Sequence, residues 1–266
     1  MIQQKEGRRL FGEDVGNYAR YRPPYPTAVF TLLQQEKGLF PNANTLEIGA
    51  GGGQATAVLL EHGANPITLV EPDARFNSIL QQLAQRHDAA ATILNQPFEA
   101  VALAPNSFDL AVSATTFHWV GQQAGLVKVG QLLRSGGLWA MWWTIFGDPT
   151  RPDPFRQATD GLLQSLTKSP SHQTPRPHFA LDKAQRTADL NQTGLFHLPH
   201  IEEIPWTVRL DTTQLRGLYA TFSPIQKQPV AERERILDGL VEIAEKEFDG
   251  VVKRPFLTVV YLSKRK

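Results

Sequence analysis

Alternating glycines follow a short apolar segment and mark a turn that could bind a ligand. The run 45–54 reads as the end of a buried strand that carries Glu47, followed by three glycines. Glycine adopts positive φ easily and lets a backbone come close to a ligand. A helix that begins directly after such a turn offers free N–H groups to a polar ligand. The candidate ligand-binding residues of this turn are Glu47, Gly49, Ala50, Gly51 and Gly53.

A second carboxylate stands at the end of the next apolar segment. Residues 66–70 are followed by Glu71 and Pro72. An acidic residue at the end of a second strand can accept hydrogen bonds from ribose hydroxyls, and NAD-binding folds use this device. The dinucleotide fingerprint G-x-G-x-x-G, however, needs a third glycine where Gln54 or Thr56 stands here. The spacing therefore favours a nucleoside ligand other than NAD.

Strand and helix patterns alternate along the first half of the chain, and the carboxyl ends of such strands position a site. We predict strands at 44–48, 67–71, 91–94, 108–113, 138–143, 206–210 and 255–263. Helices are predicted at 27–37, 54–62, 73–86, 121–133, 212–220 and 230–247. This alternation is typical of an α/β fold with a doubly wound, mostly parallel sheet.

The pattern indicates one domain over residues 1–266 with four parts. Residues 1–37 form an N-terminal lid segment and helix, and residues 38–146 form the ligand-binding core. Residues 147–200 are rich in proline and histidine, which predicts an irregular or helical insertion that caps the site. Residues 201–266 supply the strands and helices that complete the sheet.

Composition excludes several classes of function. The formal net charge of +1 gives no electrostatic case for nucleic acid or a membrane surface. The absence of cysteine excludes disulfides and thiolate metal sites, and it fits the cytoplasm, as does the polar N-terminus. No apolar run approaches the ~18 residues of a membrane span. His172 and His178 lack an evident third ligand, so no metal is expected, and the oligomeric state stays open between monomer and homodimer.

The pattern E-x-G-x-G-x-G, with Glu71 after the next strand, resembles motif I of the class I S-adenosylmethionine (SAM)-dependent methyltransferases. The segments 107–110 and 132–137 are similar to further motifs of that family. The resemblance implies a Rossmann-like seven-stranded sheet whose last strand is antiparallel, with SAM as cofactor and S-adenosylhomocysteine as product. The segments 21–26 and 117–119 are similar to the type 11, trans-aconitate methyltransferase-like subgroup, which implies a small organic methyl acceptor.

The resemblance also implies roles for individual residues in cofactor binding. Glu47 would face the methionine ammonium, and Glu71 the ribose. Phe98 and Glu99 would line the adenine pocket, although Phe98 could instead be an ordinary core residue. Many relatives have an aspartate at the position of Pro97, so the recognition of the adenine amino group is open. Two residues that follow the fourth strand would meet the methionine portion, namely Ala114 and Thr115.

Acceptor binding and chemistry have fewer candidates. His118 could act as a general base, bind the acceptor, or simply hold its loop. Tyr21 could touch the sulfonium through cation–π attraction or line the acceptor pocket. The predicted substrate pocket consists of Tyr18, Tyr21, Arg22, His118 and Trp119, each of which could instead have only a packing or surface role.

These residues predict methyl transfer to oxygen, nitrogen or carbon of a small molecule, possibly a carboxylate. A non-catalytic SAM-binding protein is one alternative, and an NAD-dependent oxidoreductase is a less favoured one because of the glycine spacing. The segment 114–117 does not match the Asn/Asp-Pro-Pro-aromatic motif of enzymes that methylate amino groups of nucleic acids.

Overall fold

A computed structural model describes residues 15–164, 166 and 178–266. Its seven strands form one sheet in the order β3-β2-β1-β4-β5-β7-β6, in which β7 runs antiparallel to both of its neighbours. This confirms the predicted α/β fold and its antiparallel last strand. The strands are β1 Ala43–Ile48, β2 Ala64–Val70, β3 Ala91–Leu94, β4 Phe108–Ala114, β5 Leu133–Ile145, β6 His200–Asp211 and β7 Val251–Lys264.

Helices cover both faces of the sheet, as the doubly wound prediction requires. The helices among the described residues are α1 Val15–Tyr21, α2 Thr27–Gln35, α3 Gln54–Glu61, α4 Asn77–Arg86, α5 Gln122–Leu132, α6 Pro154–Leu163, α7 Lys183–Gln192, α8 Thr212–Ala220, α9 Ser223–Gln226 and α10 Val230–Phe248. Helices α2, α3 and α4 pack on one face, while α5 and α7 pack on the other. Because β5 is covered on both sides, its central residues are almost continuously apolar.

A third core lies beyond the carboxyl end of β5. Ile145 pairs with Leu257, so the part of β7 before Leu257 pairs only with β6 and extends past the other strands. Apolar side chains of this extension pack against α6, α8, α9 and α10 in a lobe that we call the cap lobe. Its core includes Phe155, Leu215, Leu218, Ile236, Leu240 and Phe256.

The cap lobe and the predicted insertion overlap only in part. Helix α6 belongs to the lobe, whereas α7 packs beside α5 on the flank of the sheet. Most of the lobe is built from residues 201–266 rather than from 147–200. The division of the chain into a core and an insertion that caps the site therefore stays a prediction.

Candidate functional site

The glycine turn between β1 and α3 lies at the carboxyl edge of the sheet. Its three glycines have φ values of 78°, 51° and 82°. A Cβ atom added to Gly49 would lie 2.2 Å from Thr116 Cγ2, and one added to Gly53 would lie 2.4 Å from Leu83 Cδ1. A Cβ atom on Gly51 would have no heavy atom within 4 Å. Packing against Thr116 therefore requires glycine at position 49, whereas at position 53 the positive φ is the main constraint. Gly51 faces the space that a ligand can enter.

Glu71 is held across this turn by backbone hydrogen bonds. The N–H of Gly51 donates to Oε2 and the N–H of Asp73 donates to Oε1, both at 2.9 Å. The carboxylate is 9% exposed, while the following Pro72 is exposed. An ionised carboxylate acts only as an acceptor, with about four lone-pair sites on its two oxygens, which is the chemistry that ligand hydroxyls require. The position and chemistry of Glu71 fit the ribose of a nucleoside.

Glu47 is a buried carboxyl group directly behind the turn. Thr56 Oγ1 donates to Oε2 at 2.7 Å, and among the described residues Oε1 has no hydrogen-bond partner. The pKa of Glu47 is raised from 4.5 to about 8, mainly by burial. The bond from Thr56 lowers the pKa, and the nearby charge of Glu71 makes a smaller contribution that raises it. An orphaned carboxyl oxygen of this kind fits a ligand that brings a positive charge.

The predicted lining of the adenine pocket lies in the turn that follows β3. Phe98 is 2% exposed and packs in the core of one sheet face, which favours its alternative role as a core residue. Pro97 and Glu99 are exposed beside it. Lys128 Nζ lies 4.9 Å from the Phe98 ring centre and donates to the carbonyl oxygens of residues 98, 99 and 101 at 2.6, 3.2 and 2.5 Å. Lys128 thus fixes this turn, a role that the sequence did not suggest.

The amide side chains of Asn77 and Asn95 lie beside Glu71 and were not predicted as site residues. Asn95 Nδ2 donates to the Glu71 carbonyl oxygen at 3.0 Å and to Asn77 Oδ1 at 2.8 Å. Asn77 Nδ2 donates back to Asn95 Oδ1 at 2.7 Å. The sequence does place Asn95 directly after the third predicted strand, and ligands of parallel sheets bind at the carboxyl ends of the strands. This position could have identified Asn95 as a site residue.

The loop after β4 approaches the glycine turn from the neighbouring strand. Ala114 is buried, and Thr115 has a φ of 56°, which is uncommon outside glycine, asparagine and aspartate. Thr115 Oγ1 lies 3.0 Å from the Tyr25 hydroxyl, and its N–H donates to the Trp142 carbonyl oxygen at 2.7 Å. The Tyr25 ring stands perpendicular to that of Trp142, with ring centres 5.6 Å apart. Tyr25 was not a predicted site residue, yet it joins the N-terminal segment to this loop.

His118 is half-buried among aromatic rings. Trp143 Nε1 donates to its Nδ1 at 3.1 Å. The ring of Trp119, which is 7% exposed, lies 4.8 Å from the His118 ring, and Phe179 lies 6.0 Å away. These contacts favour the alternative packing role of Trp119. They also restrict the orientation of the His118 ring more than the contacts of an exposed loop would.

Tyr21 and Arg22 contact the cap lobe. The Tyr21 ring lies against Gly217 of α8, where an added Cβ would be 2.3 Å from Tyr21 Cγ. Arg22 donates to the Thr221 carbonyl oxygen at 3.1 Å, and its guanidinium lies 5.0 and 5.1 Å from the ring centres of Phe146 and Phe222. Tyr18 lies in α1, but its side chain is outside the described part. Catalytic roles for Tyr21 and His118 remain predictions.

The described part of the chain contains neither a metal-binding cluster nor a helix that could span a membrane. Within residues 15–164, 166 and 178–266, no group of three or more histidine, aspartate or glutamate side chains could hold a metal ion. His178 Nδ1 accepts a hydrogen bond from the Ala180 N–H, and His172 lies outside the described residues. None of the helices in the described part is long and apolar enough to cross a bilayer.

The family model described as a methyltransferase domain matches residues 46–141. This match contains the glycine turn, Glu71 and the loop after β4. An uncharacterised methyltransferase of Schizosaccharomyces pombe is 23% identical over 97% of this chain and 97% of its own length.

Two solved structures share the fold. A protein of Anaeromyxobacter dehalogenans, assigned as a type II methyltransferase, is 19% identical with a TM-score of 0.58 over 92% of this chain and 98% of its own. The [4+2]-cyclase SpnF is 13% identical with a TM-score of 0.53 over 98% of this chain and 96% of its own. At these identities the likeness establishes only the fold, so the assignment depends on the family match and the full-length relative. Together with the site geometry, they support a class I SAM-dependent methyltransferase.

Proposed function

We propose that the protein transfers the methyl group of SAM to a small-molecule acceptor. The observation that carries the proposal is the open space at Gly51, which is bordered by the Glu71 carboxylate and backed by Glu47. SAM joins a ribose to a positively charged methionine portion, so it has a group suited to each carboxyl. The oxidoreductase alternative has no support from the family match.

The residues would act mainly by positioning the cofactor, because SAM supplies an activated methyl group on its sulfonium. Glu71 would accept hydrogen bonds from the ribose hydroxyls. Glu47 would hold the charged methionine end, directly or through water. Ala114 and Thr115 would line the methionine portion, where the constrained backbone of Thr115 fixes the loop.

A small acceptor is favoured over a macromolecule by two features. The N-terminal segment contacts the cap lobe through Tyr21 and Arg22 and the β4 loop through Tyr25. These contacts tie the segment to elements on both sides of the carboxyl edge and would enclose a limited acceptor space. The formal net charge of +1 provides no overall electrostatic attraction to nucleic acid. A cytoplasmic location and the choice between carboxylate and other acceptors stay predictions.

The test is transfer of a labelled methyl group from SAM. The protein is incubated with labelled SAM and, separately, with the small-molecule filtrate, the protein fraction and the nucleic-acid fraction of a cell extract. We expect enzyme-dependent label in compounds of the filtrate, and loss of that label with the Glu71→Ala variant. Label only in a macromolecular fraction would contradict the small acceptor. Tight SAM binding without transfer to any fraction would instead favour the non-catalytic alternative.

A further inference from the structure

We infer that Trp143 is a positioning residue that holds His118 in the tautomer whose proton is on Nε2. His118 would then serve the acceptor site as a hydrogen-bond donor and not as a general base. The assignment of the tautomer depends only on the contacts of these two residues. The consequence for the acceptor rests on the proposed methyl transfer.

The indole of Trp143 fixes the protonation of one imidazole nitrogen. Trp143 is fully buried in β5, and its Nε1–H can only donate. Its partner at 3.1 Å, His118 Nδ1, must therefore present a lone pair. A neutral imidazole has one protonated nitrogen, so the proton lies on Nε2.

The surrounding rings keep this pair in place. The Trp143 and Phe179 ring centres are 4.8 Å apart, and Trp119 lies 4.8 Å from His118. The guanidinium of Arg186, which is 6% exposed, lies 3.7 Å from the Phe179 ring centre. A ring flip of His118 would leave the buried indole N–H without its acceptor and would disturb these packed rings.

The tautomer limits the chemistry that His118 can perform. A general base must offer a lone pair to the proton that it removes. Nε2 could offer a lone pair only if the imidazole proton moved to Nδ1. The Nδ1–H group would then point at the indole N–H of Trp143, and two donors cannot form a hydrogen bond with each other. The acceptor must therefore bring a lone pair to Nε2–H, and it must be nucleophilic without losing a proton to His118. Carboxylates and other ionised oxygens meet this requirement because they keep a further lone pair for the attack. Un-ionised alcohols do not, and neither do neutral amines, whose single lone pair would be taken by the hydrogen bond.

The tautomer can be read from the nitrogen spectrum of the full-length protein labelled with ¹⁵N-histidine. Two-bond proton–nitrogen correlations distinguish the two tautomers, and the signals of His118 are those lost in the His118→Gln variant. We expect the Nε2–H form in the wild type. We also expect a scalar coupling across the hydrogen bond when the tryptophan indole nitrogens are labelled as well. An Nδ1–H tautomer, or the absence of that coupling, would overturn the inference without any variant of Trp143.

Trp143→Phe removes the indole N–H, and Trp139→Phe is its matched control. Both tryptophans are fully buried in β5 and belong to the same core, but among the described residues Trp139 Nε1 has no hydrogen-bond partner. We expect Trp143→Phe to convert His118 into a mixture of tautomers and Trp139→Phe to leave it as the Nε2–H form. An unchanged tautomer in folded Trp143→Phe would refute the positioning role. Since no methyl transfer is measured, failure of the proposed function would leave this result intact.

Discussion

Replacement of Glu47 by glutamine should make the protein more stable at alkaline pH while it weakens cofactor binding. Glu47 is 1% exposed, and its pKa rises from 4.5 to about 8, mainly because burial disfavours the charged form. The folded protein therefore keeps a proton that the unfolded chain loses between these two pH values. Glutamine keeps the shape of the side chain and can still accept the hydrogen bond of Thr56, but it cannot ionise.

The sign and size of the effect follow from proton linkage. Between pH 4.5 and about 8 the folded state binds more protons at Glu47, so the free energy of unfolding of the wild type falls as pH rises. The fall is at most about 1.4 kcal/mol per pH unit, which amounts to roughly 3 kcal/mol between pH 4.5 and pH 7. This fall in the free energy of unfolding is complete near pH 8, and the Glu47→Gln variant should not show it.

Urea unfolding at pH 5, 7 and 9 without cofactor measures the difference. We expect the free energies of unfolding of Glu47→Gln and wild type to be similar at pH 5 and to diverge by about 2–4 kcal/mol in favour of the variant at pH 9. The control is Glu61→Gln, which changes an exposed carboxylate at the end of α3 and should give no such divergence. A difference that stays constant from pH 5 to 9 would refute the reasoning.

The same carboxyl should release a proton when a cationic ligand binds, because a nearby positive charge favours its ionised form. Calorimetric titration with SAM at pH 7 in buffers of different ionisation enthalpy counts this proton. We expect release approaching one proton for the wild type and none for Glu47→Gln, with about tenfold or greater loss of affinity. Equal proton release by both proteins would place the charged end of SAM away from Glu47.

Three further variants test individual contacts. Lys128→Met keeps the alkyl stem near Phe98 but removes the bonds to three carbonyl oxygens. SAM affinity measured by titration should fall about three- to tenfold, and unchanged affinity would contradict the role of Lys128 in fixing this turn. Tyr25→Phe removes the hydroxyl at 3.0 Å from Thr115 and should lower turnover with an acceptor found in the screen, at a stability cost of about 1 kcal/mol by urea unfolding; wild-type turnover would argue against it. Arg22→Met removes cation–π contacts of about 0.5–2 kcal/mol and should speed limited proteolysis of the N-terminal segment, whereas an unchanged cleavage rate would show that other contacts hold it.

Local pattern was sufficient for the elements that carry the cofactor site. The strand before Gly49, the helix after Gly53 and the carboxylate at Glu71 are all encoded within short segments. The parallel sheet then brings the ends of β1 and β2 together, as the pairing of Ile48 with Val70 shows. Spacing alone could not separate the roles of the glycines. The clash that a Cβ atom at position 49 would make with Thr116 depends on a loop that is distant in sequence.

Contacts between distant segments account for what the sequence did not reveal. The cap lobe needs strands β6 and β7 to extend past β5, and their length is set by pairing with each other rather than by local propensity. The bond between Trp143 and His118 joins two strand ends, and the apolar run of β5 indicates only that Trp143 is buried. Phe98 was ambiguous for the same reason, since an aromatic residue after a strand fits a pocket and a core equally well.

Calorimetric titration with SAM, S-adenosylhomocysteine and NADH tests the central assignment most directly. Wild type and two alanine variants are compared: Gly51→Ala in the site and Gly136→Ala near the start of β5, where φ is also positive, at 77°, and an added Cβ also meets nothing within 4 Å. Each substitution should cost about 1–2 kcal/mol of stability. We predict that wild type and Gly136→Ala bind both adenosyl ligands and not NADH, and that Gly51→Ala binds them at least tenfold more weakly. Binding of NADH, or wild-type affinity in Gly51→Ala, would contradict the account.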